Sequence, residues 1–141
     1  MESSELTKTI ADFALKHGLG KNREFKYLYN LITSSSRRDR YFGLMGVFEL
    51  DIHRNNLLVQ TFAGRLLLKI KPKPFESCEE ALFRLLPNWN VSAEEVIFYL
   101  SEQFSKDVVI LAVNSLKKGH LSESDTASLK SILFWLGCNE R

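Results

Sequence analysis

The chain has 141 residues, 45% of them hydrophobic and 26% charged, ordinary proportions for one globular domain spanning 1–141 that buries its own core without disulfides or metals. Three prolines and seven glycines exclude a Pro- or Gly-rich fibrous chain, two cysteines exclude a disulfide framework, and no apolar run approaches the ~20 residues that span a bilayer. The net charge of +2 is too small to imply nucleic acid on its own, but it is unevenly spread: residues 1–74 hold 13 Lys and Arg against 7 Asp and Glu (+6), and residues 75–141 hold 6 against 10 (−4).

The chain opens Met1-Glu2-Ser3-Ser4, with no basic stretch leading into an apolar core. That pattern predicts no secretory signal and a cytoplasmic location, with Cys78 and Cys138 as free thiols. Glu5 to Lys16 reads as a first helix, with Leu6, Ile10, Phe13 and Ala14 on one face and His17-Gly18 as its stop. Arg23 to Ile32 gives a second, on Phe25, Leu28, Tyr29 and Ile32. Thr33-Ser34-Ser35-Ser36 is a polar break and a plausible cap for a third helix.

Residues 41–71 admit two readings. Phe48, Leu50 and Ile52 alternate with Glu49, Asp51 and His53 as in a strand, which would make Asn55-Asn56 a turn and 41–71 a hairpin or meander in an α+β fold. Against that, Tyr41, Leu44, Met45, Phe48 and Ile52 fall at i, i+3, i+4, i+7 and i+11, and Val59, Phe62, Ala63, Leu66 and Ile70 repeat those offsets. Two five-position helical matches outweigh one three-position alternation, so helices over 37–53 and 56–71 are preferred. Gly43, Gly46 and Gly64 count against helix by roughly 1 kcal/mol each, but glycine also lets two helices approach closely.

Lys71-Pro72-Lys73-Pro74 ends that segment. Ser77 and Glu80 have capping-box spacing, and Cys78, Ala81, Leu82 and Leu85 then face inward until Pro87. Ser92 and Glu95 repeat the capping-box spacing, with Val91 and Val96 placed as a hydrophobic staple. Ala93, Val96, Ile97, Leu100 and Phe104 make one stripe; Ser105-Lys106-Asp107 breaks it; Val109, Ala112, Val113 and Leu116 make a second that closes at Gly119. Leu129, Ile132, Leu133 and Leu136 stripe a final helix stopped by Gly137. The expectation is an all-α domain of about eight short helices, packed as stacked antiparallel hairpins, with most of the ten phenylalanines in the core.

Over Pro87–Gly119, about a quarter of the chain, a Pro87-Asn88-Trp89 link into a capped helix and then a β-branched-rich second helix resembles the HEAT and armadillo class of α-solenoid. The resemblance implies stacked helical hairpins.

No catalytic constellation is legible. His17 and His120 stand beside Gly18 and Gly119, positions that suit a charged histidine at a helix end. His53, with Glu49 four residues before it, suits a surface pair, and a general-base role for it is the weaker reading. No phosphate-binding glycine loop, nucleophile elbow, compact metal-ligand pattern or cofactor motif occurs, so a non-enzymatic protein without metal or cofactor is expected.

Two charged surfaces remain as candidates. Glu94, Glu95 and Glu102, with Glu123 and Asp125, give the C-terminal half its acidity and could capture a basic protein. Arg37, Arg38 and Arg40 would meet Lys69, Lys71 and Lys73 at one end of an antiparallel hairpin and could hold phosphates of DNA or RNA. In size, cytoplasmic character and lack of catalytic residues, the chain also resembles small bacterial immunity proteins, which neutralise cationic nuclease toxins; it differs from them in its positive net charge. That resemblance implies stoichiometric binding of a partner protein, with nucleic-acid binding as the alternative and no membrane role.

Overall fold

The structure, a computed structural model, describes residues 1–20 and 22–138. Among these the fold is all-α, with no strand: α1 (Ser3–His17), α2 (Phe25–Ser34), α3 (Arg37–Gly46), α4 (Leu57–Ile70), α5 (Cys78–Leu85), α6 (Glu95–Phe104), α7 (Lys106–Lys117) and α8 (Glu123–Trp135). Two single 3₁₀ turns, Val47–Glu49 and Asp51–His53, join α3 to α4. No helix among the described residues is long and apolar enough to cross a membrane.

Most helices start on a polar cap. Ser36, Asn56, Ser105 and Ser122 each accept an amide from the third residue of the helix they open, which satisfies one of the otherwise unpaired donors of the first turn. Ser77 and Glu80 close a reciprocal capping box at α5. At α6 the expectation fails. The Ser92 amide donates instead to Asn90 Oδ1 at 2.9 Å, Val91 is exposed, and the helix begins two residues later than the Ser92 cap requires, at Glu95, with no side-chain cap. Asn90 is held there by its own bonds, its amide donating to Gln60 Oε1 at 2.7 Å and its side chain to the Asn55 carbonyl at 3.0 Å, so tertiary contacts override the local cap.

The disputed stretch is helical, but not throughout. The stripe Tyr41, Leu44, Met45 and Phe48 is buried as expected, whereas Ile52 is 85% exposed. The backbone tightens to 3₁₀ at Val47 and turns extended at Leu50, which ends the helical register before Ile52. His53 consequently lies in the second 3₁₀ turn, and Glu49 pairs with Arg84 in place of His53.

Pairwise contacts fix the helix directions. Ser3 and Thr7 of α1 bond Asp39 and Gly43 of α3, advancing together, so these two run parallel. Arg65 and Lys71 meet Glu95 and Glu102 in the same order, so α4 and α6 are parallel too. Between α3 and α4 the sense reverses. Asn88 bonds both Glu49, past the end of α3, and Gln60, near the start of α4, while Tyr41 near the start of α3 bonds Glu76, past the end of α4. The pairs α1–α3 and α4–α6 thus run parallel, and α3–α4 antiparallel. At the C-terminal end the pattern changes: Ser115, near the end of α7, bonds Glu79, at the start of α5.

The glycines that counted against helix are the points of closest approach. A Cβ at Gly43 would stand 2.8 Å from Leu6 Cβ, and one at Gly64 would stand 2.7 Å from Glu95 Cβ and 3.3 Å from the Val96 amide nitrogen. One contiguous core of mainly aliphatic side chains, from Leu6 to Leu136, with Tyr41, Phe48, Phe62, Trp89 and Tyr99 among them, fills the space between the helices. The phenylalanines depart from expectation. Only Phe48 and Phe62 are buried; Phe13, Phe25, Phe42 and Phe104 pack at the core's edge, and Phe75, Phe83, Phe98 and Phe134 are exposed. The interior still takes rings, since Tyr41, Tyr99 and Phe48 head the fully buried side chains among the described residues, but most of the phenylalanines stand at its margin or outside it.

Gly64→Ala gains about 1 kcal/mol of helix propensity, yet it should lower the unfolding free energy by about 1–3 kcal/mol, because its methyl must displace the α6 backbone. Urea unfolding followed by circular dichroism measures the sign; a stabilised variant would disprove the tight α4–α6 contact. Cys78 is buried, which pushes its thiol up to about 11. Iodoacetamide at pH 8 should therefore label the partly exposed Cys138 first, and Cys78 only after unfolding.

Candidate functional site

The residues that lead into α5 build an open groove. Lys71 adopts a left-handed conformation at the end of α4, and the Tyr99 hydroxyl donates to the Pro72 carbonyl, which pins the Pro-rich connection against α6. The next residues, Phe75 and Glu76, are thereby delivered beside α3. The Glu76 carboxylate, almost fully buried, accepts the Tyr41 hydroxyl at 2.7 Å and the Arg84 guanidinium. The other arm of Arg84 reaches Glu49 Oε1 at 3.5 Å. Arg84 and Arg38 both lie over the Phe42 ring, at 5.1 and 4.8 Å from its centre.

This cluster couples its members' protonation. Burial raises the Tyr41 phenol well above its ordinary range, and the hydrogen bond to Glu76 adds to it. Burial likewise raises the Glu49 carboxyl, with Arg84 opposing. For Arg84 burial acts downward, but the bond to Glu76 and the two carboxylate charges outweigh it, and the guanidinium is held above its usual value. Tyr99 is also raised, chiefly by burial.

Around the cluster lies a groove of about 1110 Å³, walled by the first two turns of α1, by α3 with the first 3₁₀ turn, and by α5, with Leu116 of α7 at one end. Phe42 lines its floor; Phe75 and Phe83 stand at its sides, 42% and 59% exposed. Four carboxylates line it, Glu49, Glu76, Glu79 and Glu80, against two cations, Arg38 and Arg84. Rings gathered around one concavity form the kind of apolar patch that marks an interaction site, whereas Phe98 and Phe134, also exposed, lie outside it. The groove offers a surface that is apolar at its centre and acidic at its edge. Among the described residues, no group of three or more His, Cys, Asp and Glu side chains is placed to hold a metal ion.

The surfaces expected from the sequence lie elsewhere. Glu95 and Glu102 face α4, paired with Arg65 and Lys71 at 3.8 Å each, so their charge is matched within the fold. Glu94 is partly buried at the N-terminal boundary of α6, and Glu123 and Asp125 sit in the first turn of α8. Of the basic set, Arg40 donates to the Thr33 and Ser35 carbonyls at the end of α2, Arg38 covers Phe42, Lys69 covers Phe25 and Tyr29, and Lys71 pairs with Glu102. Arg37 and Lys73 are exposed. His17, expected as a helix-end residue, bonds Asn22 at 2.7 Å and approaches Glu24 at 3.2 Å, joining α1 to the entry of α2.

The groove escapes a reading of the sequence because its parts are scattered over α1, α3 and α5. It leaves one local signal: Phe83 falls off the Cys78, Ala81, Leu82, Leu85 stripe, on the outward side of an otherwise regular amphipathic helix.

Tyr41→Phe removes a hydrogen bond to a charged acceptor and should cost about 1.5–3 kcal/mol of stability at neutral pH. The phenol's raised value means that this stability is complete at neutral pH and is lost as pH rises past the ordinary tyrosine range. The alkaline limb of a stability–pH curve should therefore be shallower in Tyr41→Phe than in the wild type; identical limbs would contradict the buried Tyr41–Glu76 bond.

No family model matches the chain, and neither a curated protein nor a solved structure matches it.

Proposed function

We propose that this chain is a non-enzymatic protein-binding module that engages its partner through the groove beside α5, in its most concrete form an immunity- or antitoxin-type protein that binds and neutralises another protein. The observation that carries the reading is the exposure of Phe75 and Phe83 beside Phe42, whose ring lies under an Arg84 that is bonded to Glu76. Aromatic rings presented from a pre-organised surface are the usual anchors of protein interfaces, since they bury much area and lose little side-chain freedom. Glu49 and Glu76 are held by Arg84, so the groove's attraction for a basic surface, which suits a cationic toxin domain, rests on the exposed Glu79 and Glu80. The α6 carboxylates serve the reading less well, because Glu95 and Glu102 already have cations.

Nucleic-acid binding through Arg37, Arg38, Arg40, Lys69, Lys71 and Lys73 is the competing reading. Four of those six side chains are engaged within the fold, by carbonyls, rings or a carboxylate, which leaves fewer to neutralise phosphates.

Affinity capture from the native host separates the two. The wild-type chain should retain a protein partner, and Phe75→Ser with Phe83→Ser should weaken that capture by about thirtyfold while the helical circular-dichroism spectrum stays unchanged, the scale of losing an interface hot spot. Glu95→Lys with Glu102→Lys should retain it. A partner lost in the glutamate variant and kept in the phenylalanine variant would move the interface to α6, and salt-dependent retention on DNA or RNA abolished by Arg37→Ala would favour the competing reading.

A further inference from the structure

A second concavity lies on the other side of the N-terminal half, where the α1–α2 connection passes one face of α4. It measures about 460 Å³, within the range of small-molecule sites. Its inner wall is aromatic: Phe25 and Phe62 meet edge to face at 6.4 Å, and Phe13 stacks behind Phe62 at 5.6 Å. Leu19 and Leu66 complete the apolar surface. Two cations, Arg65 and Lys69, stand one turn apart on α4 at its edge, and no carboxylate lines it among the described residues.

The two cations differ in what they already hold. Arg65 has Glu95. Lys69 has only ring faces, its ammonium 5.0 Å from the centre of Phe25 and 5.5 Å from that of Tyr29, and no ion pair of its own is formed among the described residues. A ring face attracts an ammonium through its quadrupole, but more weakly than a carboxylate does. An ammonium therefore waits beside an apolar wall, which is half of a site for an anionic amphiphile.

We propose that this pocket binds a small aromatic carboxylate, its ring lying against Leu19 and Phe25, with the nearly buried Phe62 and Leu66 behind them, and its carboxylate meeting Lys69. The volume takes one fused bicyclic ring, and the wall offers it the edge-to-face contacts that aromatic groups prefer. Lys69 would exchange its weak ring contacts for a charge-assisted hydrogen bond. This site is independent of the groove beside α5 and of any partner that the groove receives.

The probe is 1-naphthoate, titrated into the full chain by calorimetry and by nuclear magnetic resonance, with uncharged 1-naphthalenemethanol as its neutral counterpart and inorganic phosphate as the anion alone. The acid should bind about tenfold more tightly than the alcohol, the scale of one charged hydrogen bond. Its shifts should centre on Leu19 and Phe25 and extend to Phe62 and Leu66 behind them. Lys69→Gln, a change on the exposed face of α4, should bring the acid down to the affinity of the alcohol and leave the alcohol's own affinity unchanged. Equal binding of acid and alcohol to the wild type would overturn the role of Lys69, and so would a Lys69→Gln chain that still discriminates. Phosphate competing as well as naphthoate would overturn the role of the rings. No binding by either naphthalene compound, or shifts centred away from this pocket, would overturn the site itself.

Discussion

The close approach of helices at three glycines governs how the layers of this fold are arranged. Gly43 and Gly46 admit the side chains of Leu6 and Thr7, and Gly64 admits the α6 backbone at Glu95 and Val96. At Gly43 the contact is sealed by the Thr7 hydroxyl, which donates to its carbonyl at 2.6 Å. These contacts hold α1 close against α3 and α4 close against α6, and they bring the first turns of α1 to the edge of α3. There α1 becomes one wall of the groove that α5 faces across the Phe42 floor. A larger residue at any of the three positions would separate the layers, and with them the groove walls.

Buried polar groups join the layers where aliphatic packing alone would leave their order open. Glu76 ties α3 to α5 through Tyr41 and Arg84. Asn88 ties the α3–α4 connection to the start of α4, donating to the Glu49 carbonyl and to Asp51 at 3.0 Å each and accepting Gln60 at 2.7 Å. Trp89 and Trp135 each donate an indole N–H to a carbonyl, of Ala93 and Val91 respectively, and fix the entry to α6 from both sides. Removing one partner from such a buried network leaves the other without compensation, so each bond specifies one arrangement more than it adds net stability.

Helical periodicity makes the fold legible where an apolar stripe lies on one side of the helix, as in α1, α5, α7 and α8, whereas α4 is buried nearly all round from Val59 to Leu67. The Ser77–Glu80 cap is legible because it is local. The Ser92–Glu95 cap fails for the opposite reason: Gln60 and Asn55, distant in sequence, hold Asn90 and take the chain past the cap. The register break before Ile52 has the same origin, since Asn88 holds the Glu49 carbonyl. Charge is legible as composition but not as surface. Glu102 and Lys71 belong to two opposed candidate surfaces, one acidic and one basic, and they face each other across α4 and α6. The groove combines residues from three helices, so its only trace in the sequence is Phe83, a ring on the polar side of its helix.

Three surfaces of the molecule thus make different claims on a partner, and the central claim is that the groove beside α5 prevails. Site-specific photocrosslinking in the native host addresses them together, with a benzoylphenylalanine placed in turn at Phe83 in the groove, at Glu102 on α6 and at Arg37 at the start of α3. All three positions are exposed, so each variant keeps the core intact. The account predicts a discrete protein adduct from position 83 and none from 102 or 37. A protein adduct confined to position 102, or a nucleic-acid adduct from position 37, would contradict it.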